Sequence, residues 1–267
     1  MIKLFTFIKD EIEVIEDWLR YHSHLFGSNN ITVIDHMSTD GTFKILNEWK
    51  LKGVSVYRTS VPFTDKHKVL SSYMNTHKRG FLVPIDADEF IAVKKNNQLT
   101  CNISDIRSEL SKLKKGPFRY KFQQIDAIPS KVVLNDPLTE INQFKTKWYK
   151  DWKLYAKTFY DASFFVNTDQ GNHKGNVRGH GKNYETNMTI VHYDVRDYGH
   201  FIKKNERGAR AYNHTKSKQL KHSQGKHYHR RYWAIQEGRG IQQMIKEFGN
   251  IGNFSTNEIS KKIISLR

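Results

Sequence analysis

Phe81-Leu82-Val83-Pro84-Ile85-Asp86-Ala87-Asp88-Glu89-Phe90-Ile91 joins an apolar run of strand length to three carboxylates within four residues, and an apolar pair follows. A short parallel strand buried on both faces reads this way, with its acidic residues emerging at the carboxyl end. Open α/β sheets bind their ligands at that end. Asp86 and Asp88 stand two residues apart, so extended backbone turns both carboxylates to one side, where they could share a hard divalent cation. Mg2+ or Mn2+ held by one or two carboxylates takes its remaining ligands from substrate phosphates and water. The plain alternative is a solvated acidic turn, because Asp-x-Asp alone is a common pair.

Upstream of that stretch, strand and helix alternate. Ile2 to Ile8 reads as a strand that stops at Lys9-Asp10-Glu11, and Ile12, Ile15, Leu19 and His22 mark one face of a following helix. Ile31 to Ile34 is a second strand ending in Asp35, and His36 to Thr42 is a polar loop carrying helix-capping residues. Phe43 to Leu51 is helical, Val54 to Tyr57 is a third strand, and Asp65 to His77 is helical again. Three alternations within ninety residues imply βαβ units, a parallel sheet and right-handed crossovers. Beyond Phe90 the regularity fades. Ser104 to Lys115 is a short basic helix, Phe118 to Ile128 a strand, and 129–150 a long connection. Tyr155 to Val166 holds one or two short strands, and Thr168 to Gly175 is a glycine-containing loop able to close over a ligand. Thr189 to Tyr193 is a last short strand and His200 to Tyr212 a helix. No internal repeat is visible.

The chain has 267 residues, enough for a real core, and 37% hydrophobic content argues against global disorder. Lys and Arg number 44 against 27 acidic residues, a net charge of +17, which attracts polyanions: nucleic acid, an anionic membrane face or phosphorylated substrates. The single cysteine, Cys101, excludes an internal disulfide and fits a reducing compartment. The apolar start meets Lys9 and Asp10 too soon for a signal peptide, and no run approaches transmembrane length. The expected location is cytoplasmic, with a peripheral place on the cytosolic membrane face open to it.

Parallel strands bring three polar ends to one sheet edge: Lys9-Asp10-Glu11, Asp35 through Asp40, and Asp86 through Glu89. Asp10 or Glu11 could hydrogen-bond a base or ribose hydroxyl, Asp35 is placed for a ribose or base edge, and Ser38 and Asp40 in the loop after it are candidate nucleotide contacts. The structural alternatives are first-turn helix charges for Asp10 and Glu11 and caps for Ser38 and Asp40. Neither GxGxxG nor GxxxxGK[ST] occurs, so a nucleoside diphosphate held through a metal fits better than a dinucleotide or P-loop site.

These blocks carry a resemblance. Phe7-Ile8-Lys9-Asp10-Glu11, Glu16-Asp17-Trp18-Leu19 and His22, then Ile34-Asp35-His36-Met37-Ser38-Thr39-Asp40-Gly41-Thr42, then Ile85-Asp86-Ala87-Asp88-Glu89-Phe90, resemble the family 2-like glycosyltransferases of GT-A fold. The branch meant has an "NE…EEW…H" opening, a "D(N/H)xSTDGT" second strand and a "D(I/A)DEF" metal motif. Gln170-Gly171-Asn172-His173 matches its "QGNH" loop, and His192-Tyr193-Asp194-Val195-Arg196-Asp197 through Tyr212 resembles "H(F/Y)xxRSxxQFxxK…G…AY". The likeness covers residues 1–213 in scattered blocks. It departs at Lys9-Asp10, where Asn more often precedes the Glu, and at Asp197, where Ser is usual.

The resemblance implies an α/β, GT-A-like (Rossmann-like) mixed, mainly parallel sheet flanked by helices over 1–213, followed by a basic, mainly helical C-terminal extension over 214–267. It implies metal-dependent transfer of a sugar from a nucleotide-diphosphate-sugar donor to an acceptor hydroxyl of a glycan, lipid-linked or protein-linked acceptor, with inversion. Mn2+ or Mg2+ would be held by Asp88, with Asp86 bridging metal and ribose and His192 a third ligand or a diphosphate contact. Arg196 and Lys203 are phosphate-facing candidates in a very basic chain. Inversion requires a general base, for which Asp169 and His173 are candidates and Glu89 their rival. Two other classes share parts of this pattern. A nucleic-acid-binding module would use the His/Lys/Arg tail, though no specific nucleic-acid partner is expected, since no recognised binding motif accompanies the charge. A metal-dependent nucleotidyltransferase or phosphohydrolase would share the carboxylates but leave the STDGT and QGNH blocks unexplained. The basic tail is also a candidate contact to anionic lipid.

Overall fold

A computed structural model describes residues 2–96, 98–129, 144–148, 157–220, 225–248 and 257–267. The first ninety residues form the expected alternation: β1 (Ile2–Ile8), α1 (Ile15–Phe26), β2 (Ile31–Asp35), α2 (Thr42–Leu51), β3 (Ser55–Arg58), α3 (Lys66–Asn75) and β4 (Phe81–Pro84). β1 pairs in parallel with β2 and with β4, and β2 pairs in parallel with β3, with Leu4 opposite both Ile31 and Val83. β1, β2 and β4 are apolar and buried along nearly their whole length, as a parallel strand covered on both faces must be.

Beyond β4 the sheet includes antiparallel pairs. β5 (Glu89–Lys95), β6 (Gln98–Thr100), β7 (Phe118–Pro129), β9 (Thr158–Asp161) and β12 (Lys182–His192) complete the order β3-β2-β1-β4-β9-β7-β12-β5-β6. β8 (Phe144–Trp148), off that path, pairs with β7, and β10 (Phe165–Thr168) with β11 (Gly175–Val177) makes a separate hairpin. The chain is thus α/β with a mixed sheet, as expected. Two details differ. The short strand ends at Pro84, which offers no N–H to a ladder, and Asp86 to Asp88 is a turn closed by Glu89 N–H on Asp86 O (3.1 Å), not extended backbone; Glu89 then opens a second strand. β12 is also longer than the strand expected over Thr189 to Tyr193. Most of the connection expected over 129–150 lies outside the described residues.

Contacts divide the chain into two compact units. The first comprises Met1–Ile125, Tyr149–His192 and Glu258–Arg267; the second comprises Asp126–Trp148 and Tyr193–Asn257. In the first unit, α4 (Ile103–Lys112) begins with the Asn102 side chain accepting from Ser104 N–H (2.9 Å). The end of α8 (Asn257–Ser265) is tied to α1, where Arg267 donates to both oxygens of Asp17 (3.1 and 3.0 Å). The second unit contains α5 (Tyr198–Ala211), α6 (Lys226–Gln236) and α7 (Gly240–Phe248), with Val195, Phe201 and Met244 at its core. No helix among the described residues is long and apolar enough to cross a membrane.

One face of α1 holds the start of β5 by hydrogen bonds as well as by packing. Trp18 Nε1 donates to Glu89 O (3.0 Å) and the Tyr21 hydroxyl to Ile91 O (2.7 Å). His22 completes the set. Its Nε2 accepts from Ile91 N–H (3.3 Å), so Nδ1 carries the proton and donates to Trp18 O (2.9 Å). The imidazole is fully buried, and burial pushes it down to about 3 against the pull of the Trp18 carbonyl.

An unfolded His22 takes its proton near pH 6.5, whereas the folded one waits until about pH 3. Stability is therefore complete above pH 6.5 and declines as pH falls through that window, by about 1.4 kcal/mol per pH unit for this one group. Urea unfolding at pH 7 and pH 5 checks this: His22→Gln should remove about 2 kcal/mol of the wild-type difference between the two pH values. An undiminished difference in that variant would assign the acid sensitivity elsewhere.

Candidate active site

The polar residues at the ends of β1 and β2 staple one another. Asp10 takes a left-handed backbone (φ 52) and donates its N–H to Ser38 Oγ (2.8 Å), while its own carboxylate accepts from Thr39 N–H (2.7 Å). Asp40 accepts from the N–H and hydroxyl of Thr42 (2.9 and 2.6 Å) and from Ile12 N–H (3.0 Å). Desolvation raises its carboxyl, but the Thr42 and Ile12 bonds outweigh it and leave it below the usual range. Glu11 gives its N–H to Thr42 Oγ1 (2.9 Å). Asp35, expected at a ribose or base edge, is fully buried; it accepts from Arg58 Nε (2.8 Å) and from Ser38 N–H (3.2 Å to each oxygen). Arg58 in turn lies 3.9 Å over the Phe43 ring. Four expected nucleotide contacts, Asp10, Asp35, Ser38 and Asp40, thus brace the two loops.

At the end of β4 the backbone of Asp86 to Asp88 is a turn and not the expected extended segment, so the two carboxylates meet different partners. Asp88 Oδ2 lies 3.3 Å from His192 Nε2. The antiparallel register explains this: His192, last in β12, sits opposite Glu89, first in β5. Gln124 Nε2 approaches His192 Nδ1 at 3.4 Å, so the end of this amide that faces the ring selects the tautomer. With Gln124 Nε2–H donating to Nδ1, Nε2 carries the ring proton toward Asp88, and a cation held there would take that proton's place.

Asp86 faces cations of the chain itself. Lys157 Nζ donates to Asp86 Oδ2 at 2.5 Å and lies 3.2 Å from Glu89 Oε1, and Lys66 Nζ stands 3.9 Å from Asp86 Oδ1. Glu89 Oε2 accepts from Asp86 N–H (2.9 Å), which closes the group. Desolvation pushes Asp86 up, but Lys157 and Lys66 outweigh it and hold it at about 2. Burial raises Glu89 to about 7 despite Lys157. Burial works against the Lys157 ammonium, yet Asp86 and Glu89 hold it above the ordinary lysine range. Sequence reasoning missed Lys157, one lysine in a chain with 44 basic residues.

A second buried lysine was also missed. Lys121, on β7, donates to Thr158 Oγ1 (2.6 Å) and His173 O (2.5 Å); burial and the Arg119 charge push it down to about 8. Its partner His173 belongs to the loop between β10 and β11. Asp169 braces that loop, accepting from Lys174 N–H on Oδ1 (2.9 Å) and exchanging backbone bonds with Lys174 and Asn172. Asn172 is buried with φ 60, and a Cβ at Gly175 would fall 2.3 Å from Asn167 O, so the loop admits few other residues at these places. Gln170 anchors the loop's other side through His67 Nδ1 (3.0 Å) and Phe63 O (2.9 Å).

Arg196 and Lys203 belong to the second unit. Arg196 is buried and gives its N–H to His200 Nδ1 (3.3 Å); Lys203 is exposed. The neighbouring Lys204 is a buried lysine of α5, bonded to Asp194 Oδ1 (2.6 Å), and the other oxygen of Asp194, Oδ2, accepts from Arg231 (3.0 Å). Asp197, where the resembling family has Ser, caps α5 by accepting from His200 N–H (2.7 Å), a task either residue performs.

The residues fit a divalent cation at one place and not at another. Asp88 and His192 offer a carboxylate oxygen and an imidazole nitrogen, a mixed donor set that suits Mn2+ better than Mg2+. Asp86 and Glu89 are already neutralised by lysine.

No family model matches the chain, and no curated protein matches it. Among solved structures, S. aureus TarS 1-349 is similar over 92% of this chain and 82% of its own, at 11% identity and TM-score 0.44. Its complex with UDP-GlcNAc is similar over 99% and 79%, at 10% identity and the same TM-score. The chain spans 43% of a longer TarS structure. The cytidylyltransferase LicC of Streptococcus pneumoniae aligns over 77% of this chain and 98% of its own, at 15% identity and TM-score 0.35.

The stapled loops make a measurable claim. Asp40→Ala removes three acceptor contacts and should lower the unfolding free energy by about 1–2 kcal/mol in urea titrations. A change below about 0.5 kcal/mol would mean that Asp40 is not a structural brace.

Proposed function

We propose that the chain is a glycosyltransferase that moves a sugar from a nucleotide-diphosphate-sugar donor to an acceptor hydroxyl, with inversion. The observation that carries this reading is the Asp88–His192 pair at the end of the stretch that follows a buried parallel strand. Bound there, Mn2+ would act as a Lewis acid toward the departing nucleoside diphosphate. Asp88 and His192 are its holders, and Gln124 orients the imidazole. The order of the STDGT, DADEF and QGNH blocks favours sugar transfer over other metal-dependent chemistry on phosphates.

Of the three candidates for general base, Glu89 is the least suited. Its carboxyl is 1% exposed and bound by Lys157 and Asp86 N–H, so it has no route to an acceptor. Asp169 and His173 share a loop whose backbone is fixed at both carbonyl and amide level, which is how a base is held at one distance from its target. Asp10, Ser38 and Asp40 shape the loops beside the donor without spending their side chains on it. Arg196 and Lys203 remain candidates for the diphosphate.

Thermal unfolding with UDP, GDP and CDP, each with and without Mn2+, tests this reading. A matching nucleotide at a hundred times its dissociation constant adds about 2.7 kcal/mol, a rise of roughly 5–10 °C. The rise should need Mn2+, and Asp88→Asn and His192→Ala should each abolish the metal-dependent part. Incubation with the matching sugar nucleotide should then release nucleoside diphosphate. Release of pyrophosphate instead, or equal stabilisation without metal, would overturn the assignment.

A further inference from the structure

Lys157 stands just before β9, and nearly all of its side chain is out of water. An ammonium has three N–H donors. Three oxygens surround this one: Asp86 Oδ2 at 2.5 Å, Gly171 O at 2.9 Å and Glu89 Oε1 at 3.2 Å. Two come from the turn after β4 and one from the loop after β10, so one buried charge joins both segments that carry the candidate chemistry. The neighbouring Thr158 repeats the link, donating its hydroxyl to His173 O (2.6 Å) and its N–H to Asn172 O (2.8 Å).

The same geometry bears on the cation. A carboxylate oxygen 2.5 Å from an ammonium is not open to a dication, since the two positive charges would stand within contact of each other. Asp86 has Lys66 on its other oxygen as well. We propose that Lys157 is a positioning residue: Asp86 and Glu89 are its counter-ions and not cation ligands, and through Gly171 it fixes the QGNH loop relative to Asp88. This rests on the glycosyltransferase reading for the cation itself, which is left to Asp88 and His192, but the lysine's part has its own readout.

The test compares Lys157→Met, the charge-neutral double variant Lys157→Met/Asp86→Asn, and Asp88→Asn in the full chain. Mn2+ alone, followed by electron paramagnetic resonance of the free ion, reports the cation site. Amide hydrogen exchange over residues 169–174 reports the loop. Lys157→Met leaves the buried Glu89 carboxyl without its counter-charge and Asp86 with Lys66 alone, so its Tm should fall by roughly 10 °C. The double variant should regain part of that loss and keeps the experiment open if the single variant fails to fold. Loop amides should exchange about tenfold faster or more in both Lys157 variants, since a hydrogen bond from a charged donor is lost, and not in Asp88→Asn. The double variant should keep Mn2+ affinity within about twofold of wild type, while Asp88→Asn loses tenfold or more.

Two results would overturn the proposal. One is an unchanged exchange rate over 169–174 in the double variant. The other is a loss of Mn2+ in that variant as large as in Asp88→Asn, which would make Asp86 a ligand. If wild type takes up no Mn2+ while the loop is still freed in both Lys157 variants, the metal reading fails and the positioning role stands.

Discussion

A parallel strand covered on both faces delivers its last residues into a place with little water, and every charge carried there needs a partner supplied by the chain. That constraint organises the sheet edge of the first unit. Asp35 leaves β2 fully buried and is met by Arg58 and by Ser38 N–H. Asp86 and Glu89 follow β4 and are met by Lys157. Lys121, buried on β7, is met by a hydroxyl and a carbonyl instead of an acid, and burial and the Arg119 charge push it down to about 8. The loops between these strands take their shapes from such pairings. Asp10, Ser38, Asp40 and Thr42 exchange hydrogen bonds so fully that the β1 and β2 ends form one braced surface.

How much of this could be read in the sequence follows from the range of each interaction. The parallel half was legible because a buried strand and an amphipathic helix each leave a local period, and Gly27, Gly53 and Gly80 punctuate them. The antiparallel half was not, because β5 finds its partner β12 some hundred residues away and neither alternates cleanly. Pro84 was in plain view within the quoted stretch. Its missing N–H is a reason to end a strand there, and extended backbone through Asp86 and Asp88 does not allow for it.

The candidate site divides in the same way. Asp88 was singled out as an acid two residues from another at a strand end, and His192 through the family resemblance; the sheet brings the two together. Lys157 gave no such sign. In a chain of net charge +17, one more lysine reads as surface. The available signal was on the acidic side: three carboxylates within four residues after a buried strand cannot all be balanced by one dication, so a fixed cation had to come from elsewhere. A lysine immediately before Thr158-Phe159-Tyr160-Asp161, a run apolar enough to be an inner strand, was the candidate.

A cation built into the chain differs from a diffusible one in what it can do for catalysis. A metal ion arrives and leaves with its phosphate ligands, so it can neutralise charge that appears during reaction. The Lys157 ammonium has its three acceptors already in place and sits beneath the turn, where it orients groups but gains no new partner as charge develops. Such an arrangement is preorganisation: the reordering is completed during folding and not repeated at each turnover. Asp86 is spent on that task, and the turn after it points Asp88 elsewhere, toward the histidine that β12 supplies. Two carboxylates two residues apart therefore meet different partners, one a buried lysine and the other a histidine from a distant strand.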